Sequence, residues 1–150
     1  MSAPDSGRLI AHTFSAMSLE IQQREHEGII ILDLKGRLTV GQEATTFRER
    51  MQKLLPAGHN NIILNMEHVD YVDSTGLGAL VMCFTSVQKA GGKVKLLNLT
   101  RRSIELLVMT KLSTIFEIFG DEQDAINSFF PEREIKRFDI LNFVKQMKEE

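Results

Sequence analysis

The stretch Val72-Asp73-Ser74-Thr75-Gly76-Leu77-Gly78-Ala79-Leu80 holds the chain's best candidates for chemistry, two hydroxyls and a carboxylate beside glycines. Several catalytic patterns come near it and fail. A nucleophile elbow needs glycine two residues before the serine and two after, and Val72 occupies the first position. Gly76-x-Gly78-x-x-Val81 lacks the third glycine of a dinucleotide fingerprint, and no Gly-Lys-Ser/Thr follows a strand anywhere. Asp73-Ser74-Thr75-Gly76 differs from the aspartic-protease triplet and has no second copy with which to share a proton. Ser86-Val87-Gln88-Lys89 has serine–lysine spacing without the companion motifs of β-lactamase-like enzymes, and reads as a solvated helix end. His12, His26, His59 and His68 lack metal-ligand spacing and read as surface histidines. Cys83, beside Phe84 in a helix, reads as a small buried side chain rather than a reactive thiol. The expectation is a protein with no catalytic residue, no metal and no cofactor.

These residues need a strand and a helix to position them, and the hydrophobic pattern supplies both. Ile62, Ile63, Leu64 and Met66 form the nearly continuous apolar run of a strand buried on both faces, with Asp70-Tyr71-Val72-Asp73 leading out of it. From Ser74 onward Leu77, Leu80, Val81, Phe84 and Val87 mark an amphipathic helix, closed by Ala90-Gly91-Gly92. Upstream, Leu19–Gln23 alternates as a half-buried strand, and Ile29–Leu34 is its partner across a turn at Gly28. Gly36 and Gly41 bracket a crossing loop, and Ala44, Phe47, Met51, Leu54 and Leu55 define a helix that stops at Pro56. Downstream come a strand at Val94–Leu99, a helix over Arg101–Leu112, a short strand at Ile115–Phe119 and a helix capped by Asp121. The fold class is therefore α/β, one small mixed sheet of four to five strands partly covered by helices.

Residues 1–17 read as a flexible lead-in without the apolar core of a signal peptide. Residues 18–130 form the domain. Beyond Pro131, Ile135, Phe138, Leu141, Val144 and Met147 recur every third residue, which predicts an amphipathic helix over Ile135–Met147 within an extension spanning 131–150. Two readings of that helix stay open: packing on the parent domain, or a contact with a partner or a second copy in a homodimer.

The chain has 150 residues, one of them cysteine, and a net charge of −2. A lone cysteine excludes an intramolecular disulfide and fits a reducing cytoplasm. The near-zero balance gives no electrostatic footprint for nucleic acid or anionic lipid, and no apolar run reaches the ~18 residues of a membrane span. What remains is Ser74 at the start of a helix. It is either an N-cap or a hydroxyl offered to another protein, beside acidic Asp70 and Asp73 and the small residues Gly76, Gly78 and Ala79.

Leu34-Lys35-Gly36-Arg37-Leu38, the run from Asn61 to Leu80 with its Asp-Ser-Thr-Gly-Leu-Gly core, Ala90-Gly91-Gly92-Lys93-Val94, and Leu112 to Phe119 together resemble the STAS domain of bacterial anti-sigma factor antagonists. The resemblance extends from about Ser18 to Phe130. It implies a non-enzymatic switch whose serine, matching Ser74, is phosphorylated by a partner that is both a serine kinase and an anti-sigma factor. The unphosphorylated antagonist binds that partner and frees the sigma factor, and a metal-dependent serine phosphatase resets the cycle. Asp73, Ser74, Thr75, Gly76, Leu77 and Gly78 are the implied partner-binding residues. Thr39 joins them, standing where many members carry an acidic residue after glycine-x-leucine at the end of the second strand. Thr75 is the alternative acceptor. The rival class within the family is a constitutive interaction module, either a signalling scaffold or an accessory subunit of a transport ATPase.

Overall fold

The computed structural model describes residues 19–149. The lead-in, with His12, lies outside the described residues. Leu19 and Ile21 of β1 (Leu19–His26) pack on the core while the strand from Gln22 onward is exposed, and the strand pairs antiparallel with β2 (Ile29–Leu38). The connection is the tight pair Glu27-Gly28, with φ of 54° and 82°. Positive φ at both central residues matches the twist of a two-residue hairpin, which is why glycine stands there. β2 pairs parallel with β3 (Asn61–Val72), β3 with β4 (Lys93–Leu97) and β4 with β5 (Glu117–Phe119), giving the sheet order β1-β2-β3-β4-β5.

Parallel neighbours require crossovers, and helices provide them. These are α1 (Gln42–Leu54), α2 (Ser74–Lys89) and α3 (Arg101–Met109), the last followed by a 3₁₀ turn at Leu112–Thr114. All three helices start at the carboxyl edge of the sheet. Their apolar stripes, Phe47 and Met51 of α1, Leu77, Leu80 and Cys83 of α2 and Leu107 of α3, pack on Leu32, Leu64 and Leu96. The opposite face buries Ile31, Ile63, Leu97 and Phe119 under Ala125 and Ile126 of α4 (Glu122–Asn127). Ile62 and Leu64 thus serve one core and Ile63 the other, so the run needs no polar alternation.

Several boundaries differ from the expected ones: β4 ends at Leu97 and not Leu99, α3 at Met109 and not Leu112, and β5 starts at Glu117 and not Ile115. Gly36 is inside β2 rather than in a loop, because register shifts between Asp33 and Lys35 and between Gly36 and Arg37 let the strand continue past an irregularity. β3 does not end near Met66 but runs on through Tyr71 to Val72, since Val69 and Val72 are themselves buried. The C-terminal helix begins at Ile140, as α5 (Ile140–Glu149), and not at Ile135.

The segment before α5, residues 134–139, has no regular secondary structure and meets β5 through one backbone bond. The Phe138 N–H donates to the Ile118 carbonyl at 3.0 Å, and Asp139 caps α5 by accepting from the Asn142 N–H at 3.0 Å. Spacing by threes arose from an irregular segment joined to a helix. Ile135 packs on the second core, Phe138 and Ile140 on the first. Leu141 is 78% exposed. Among the described residues no helix is long and apolar enough to cross a membrane.

Candidate functional site

β3 delivers Val72 into the core and then hands the chain to Asp73, whose extended backbone sets up the first turn of α2. Asp73 is the N-cap. Its Oδ1 accepts from the Gly76 N–H at 2.8 Å, and its Oδ2 accepts from the Val40 N–H at 2.9 Å. The Asp73 N–H in turn donates to the Leu38 carbonyl at 3.3 Å. One carboxylate therefore satisfies a helix donor and also ties the β2–α1 turn to the start of α2. The Gly76 amide, against a smaller opposing effect of burial and with help from the Val40 amide, holds the Asp73 carboxyl below its ordinary range. It is ionised at neutral pH.

With Asp73 as cap, Ser74 does not fill that role. It is the first helical residue, is exposed, and its hydroxyl hydrogen-bonds to no described residue. Thr75 is half-buried. Leu77 is turned into the core. The two glycines separate in function. A Cβ on Gly76 would stand 1.8 Å from the Leu38 carbonyl oxygen, whereas one on Gly78 would meet nothing within 4 Å. Gly76 lets α2 close against β2; Gly78 is bare surface. Ser74, Gly78 and Met82, spaced by four, share one face of α2, and Met82 is 57% exposed there.

Thr39 is buried, and its hydroxyl donates to Glu43 Oε1 at 2.8 Å. That side chain is internally committed, so the residue this turn offers to solvent is Val40, 65% exposed. Val40 did not stand out in the sequence. The usable signal was an apolar residue just before Gly41, in a turn with no core position to fill. Cys83 is buried, and desolvation pushes its thiol up to about 12. Ser86 and Lys89 are solvent-facing at the far end of α2, His26 and His68 are exposed and His59 half-buried. Among the described residues no group of three or more His, Cys, Asp and Glu side chains could hold a metal ion.

The arrangement is an exposed hydroxyl at a helix N-terminus, flanked by an ionised carboxylate and by apolar and glycine surface, with no hydrogen bond from it to a described residue. Comparison with known proteins gives it a family. The chain is 32% identical to the anti-sigma-B factor antagonist of Bacillus subtilis over 110 residues, 73% of this chain and 99% of that protein. It is 25% identical to the anti-sigma F factor antagonist of Paenibacillus polymyxa over 111 residues, covering 73% of this chain and 94% of the relative. Among solved structures, the anti-sigma factor antagonist SpoIIAA in its unphosphorylated form has the same fold, with a TM-score of 0.65 at 19% identity, over 77% of this chain and 100% of that one. The STAS domain family model matches residues 20–125, and the chain belongs to that family.

Proposed function

We propose that this chain is an anti-sigma factor antagonist switched by phosphorylation of Ser74. Unphosphorylated, it binds an anti-sigma factor that is also its serine kinase. The observation that carries this reading is the exposed Ser74 hydroxyl, which bonds to no described residue while Asp73 does the capping. The names of the relatives support the antagonist role. In the switching step the Ser74 oxygen takes the γ-phosphoryl group of ATP, ADP leaves, and the hydroxyl proton passes to the kinase. A metal-dependent phosphatase hydrolyses the ester and restores the hydroxyl.

The physical effect of the modification differs between monomer and complex. A phosphoserine carries about −1.5 to −2 charges at neutral pH. At a helix N-terminus a negative group gains about 0.3–1 kcal/mol from the aligned amides, so the fold tolerates it. Pressed into a partner beside ionised Asp73, the same group meets like charge and loses water, which costs several kcal/mol. A penalty of about 3 kcal/mol weakens binding more than a hundredfold. Val40, Gly78 and Met82 complete the surface the partner covers.

Incubation with ATP and the purified kinase, followed by phosphopeptide mapping, tests the assignment. Modification at Ser74 is expected, with Ser74→Ala unmodified and binding constitutively, and Ser74→Asp folded but weakly bound. Modification at Thr75, or equal binding by both variants, overturns it.

A further inference from the structure

Tyr71 is the only tyrosine of a chain without tryptophan, and it stands 44% exposed near the end of β3. Its ring belongs to neither hydrophobic core. The Arg102 guanidinium lies over that ring, 5.6 Å from its centroid, within cation–π range. Arg102 comes from the first turn of α3, where the positive end of the helix dipole opposes a cation. Its neighbour Arg101 is paired with Glu105 at 3.1 Å and lies 5.9 Å over the Phe143 ring. Arg102 has no ion pair or hydrogen bond with any described residue.

The surroundings do not supply the missing anion. Arg37 faces Tyr71 in register on β2 and adds positive charge, although it has interactions of its own. Asp73 is engaged by the Gly76 and Val40 amides. Asp70 is exposed on the other side of Tyr71 in sequence and is not paired with Arg102. A cation at the unfavourable end of a helix breaks a local rule, the pattern expected where function rather than stability sets the residue. Ser74 follows Tyr71 by three residues, so their Cα atoms are within about 11 Å. A protein that covers Ser74 reaches this stack.

We infer that Arg102, which lies over the Tyr71 ring, receives a carboxylate side chain of the same protein partner that covers Ser74. This rests on the reading of Ser74 as a partner-facing residue. The planar guanidinium offers a two-pronged grip on a carboxylate, and the cation–π contact keeps it near the ring before the partner arrives. Arg102 then acts in choosing the partner, and Ser74 in releasing it.

The probe is the purified anti-sigma factor of the source organism, with Ser74→Ala as the reference antagonist. Arg102→Ala in that background is expected to bind about tenfold more weakly and Arg102→Glu about a hundredfold, with Arg102→Lys between them and the differences shrinking as salt rises. Far-ultraviolet circular dichroism and the unfolding midpoint should be unchanged. Tyr71 emission, free of any tryptophan signal in the isolated chain, should change in Arg102→Ala and so report the stack in solution. Equal affinity of Arg102→Glu and the reference, both folded, overturns the role of Arg102 and leaves the Ser74 reading standing. Failure of the Ser74→Ala reference to bind at all overturns the Ser74 reading, and this inference with it.

Discussion

At the scale of single residues, the site divides between side chains that build it and side chains it presents. Asp73 and Gly76 build. Asp73 bonds the Gly76 and Val40 amides, and Gly76 has no room for a Cβ against the Leu38 carbonyl. Ser74 and Gly78 present. A matched pair of substitutions separates the two roles. Gly76→Ala forces backbone apart and should cost about 1–3 kcal/mol or more. Gly78→Ala sits in an exposed helix interior and should gain about 0.5–1 kcal/mol while placing a methyl on the surface proposed to meet the partner. Denaturant midpoints for the two variants check this, and a fall of similar size in both would contradict the division. The motif was legible in the sequence, but its internal assignment was not. Aspartate and serine are comparable caps, so adjacent Asp73 and Ser74 could not be ranked without the backbone. Nor does composition distinguish a glycine needed by a neighbouring strand from one left bare.

At the scale of elements, the C-terminal extension is tied both to the β1–β2 turn and to β5. Arg133 pairs with Glu27 at 2.8 Å, and Arg137 pairs with Glu117 at 3.2 Å. Glu117 also meets Lys95 at 2.5 Å, and the Lys95 side chain is only 3% exposed. Ile135, Phe138 and Ile140 add apolar contact on both faces. Removing residues from Pro131 onward should therefore lower the unfolding temperature by several degrees, whereas removing only Leu141 onward should cost much less. Thermal unfolding of the two truncations decides, and equal losses would show that the irregular segment contributes nothing. Strands and helices were readable because period two and period 3.6 differ clearly over eight or more residues, as in β1 and α2. Mixed segments were not. Ile135 and Phe138 reach opposite cores from an irregular segment, and their spacing from Leu141 imitates a helix. The β2 irregularity at Gly36 was hidden likewise, because a glycine inside a strand and one in a loop look alike in sequence.

For the whole molecule, several carboxylates tie the fold together and should make it acid-sensitive. Arg24 and Asn65 bond Asp33 and hold it below its usual range despite burial, and the Gly76 amide does the same for Asp73. Burial pushes Glu117 up, but Lys95 and Arg137 together outweigh it and leave it lowered. A carboxyl with a folded value below its unfolded one, about 3.9–4.3, stabilises the protein above that range and stops doing so as pH falls through the folded value. The urea midpoint should be nearly flat from about pH 7 to pH 5 and fall steadily below about pH 4. A midpoint unchanged down to about pH 2 would contradict these pairings. Family membership was legible from the strand–Asp-Ser-Thr-Gly–helix junction, since that run fixes both the element order and the position of the hydroxyl. The Tyr71–Arg102 stack was not, because residues on β3 and α3 meet only once the sheet has formed. The most direct test of the switch is a calorimetric titration of the purified anti-sigma factor with two forms of this chain, unmodified and stoichiometrically phosphorylated at Ser74, both checked for native circular dichroism. More than a hundredfold weaker binding by the phosphorylated form is the expected result, and equal affinity of the two folded forms would contradict it.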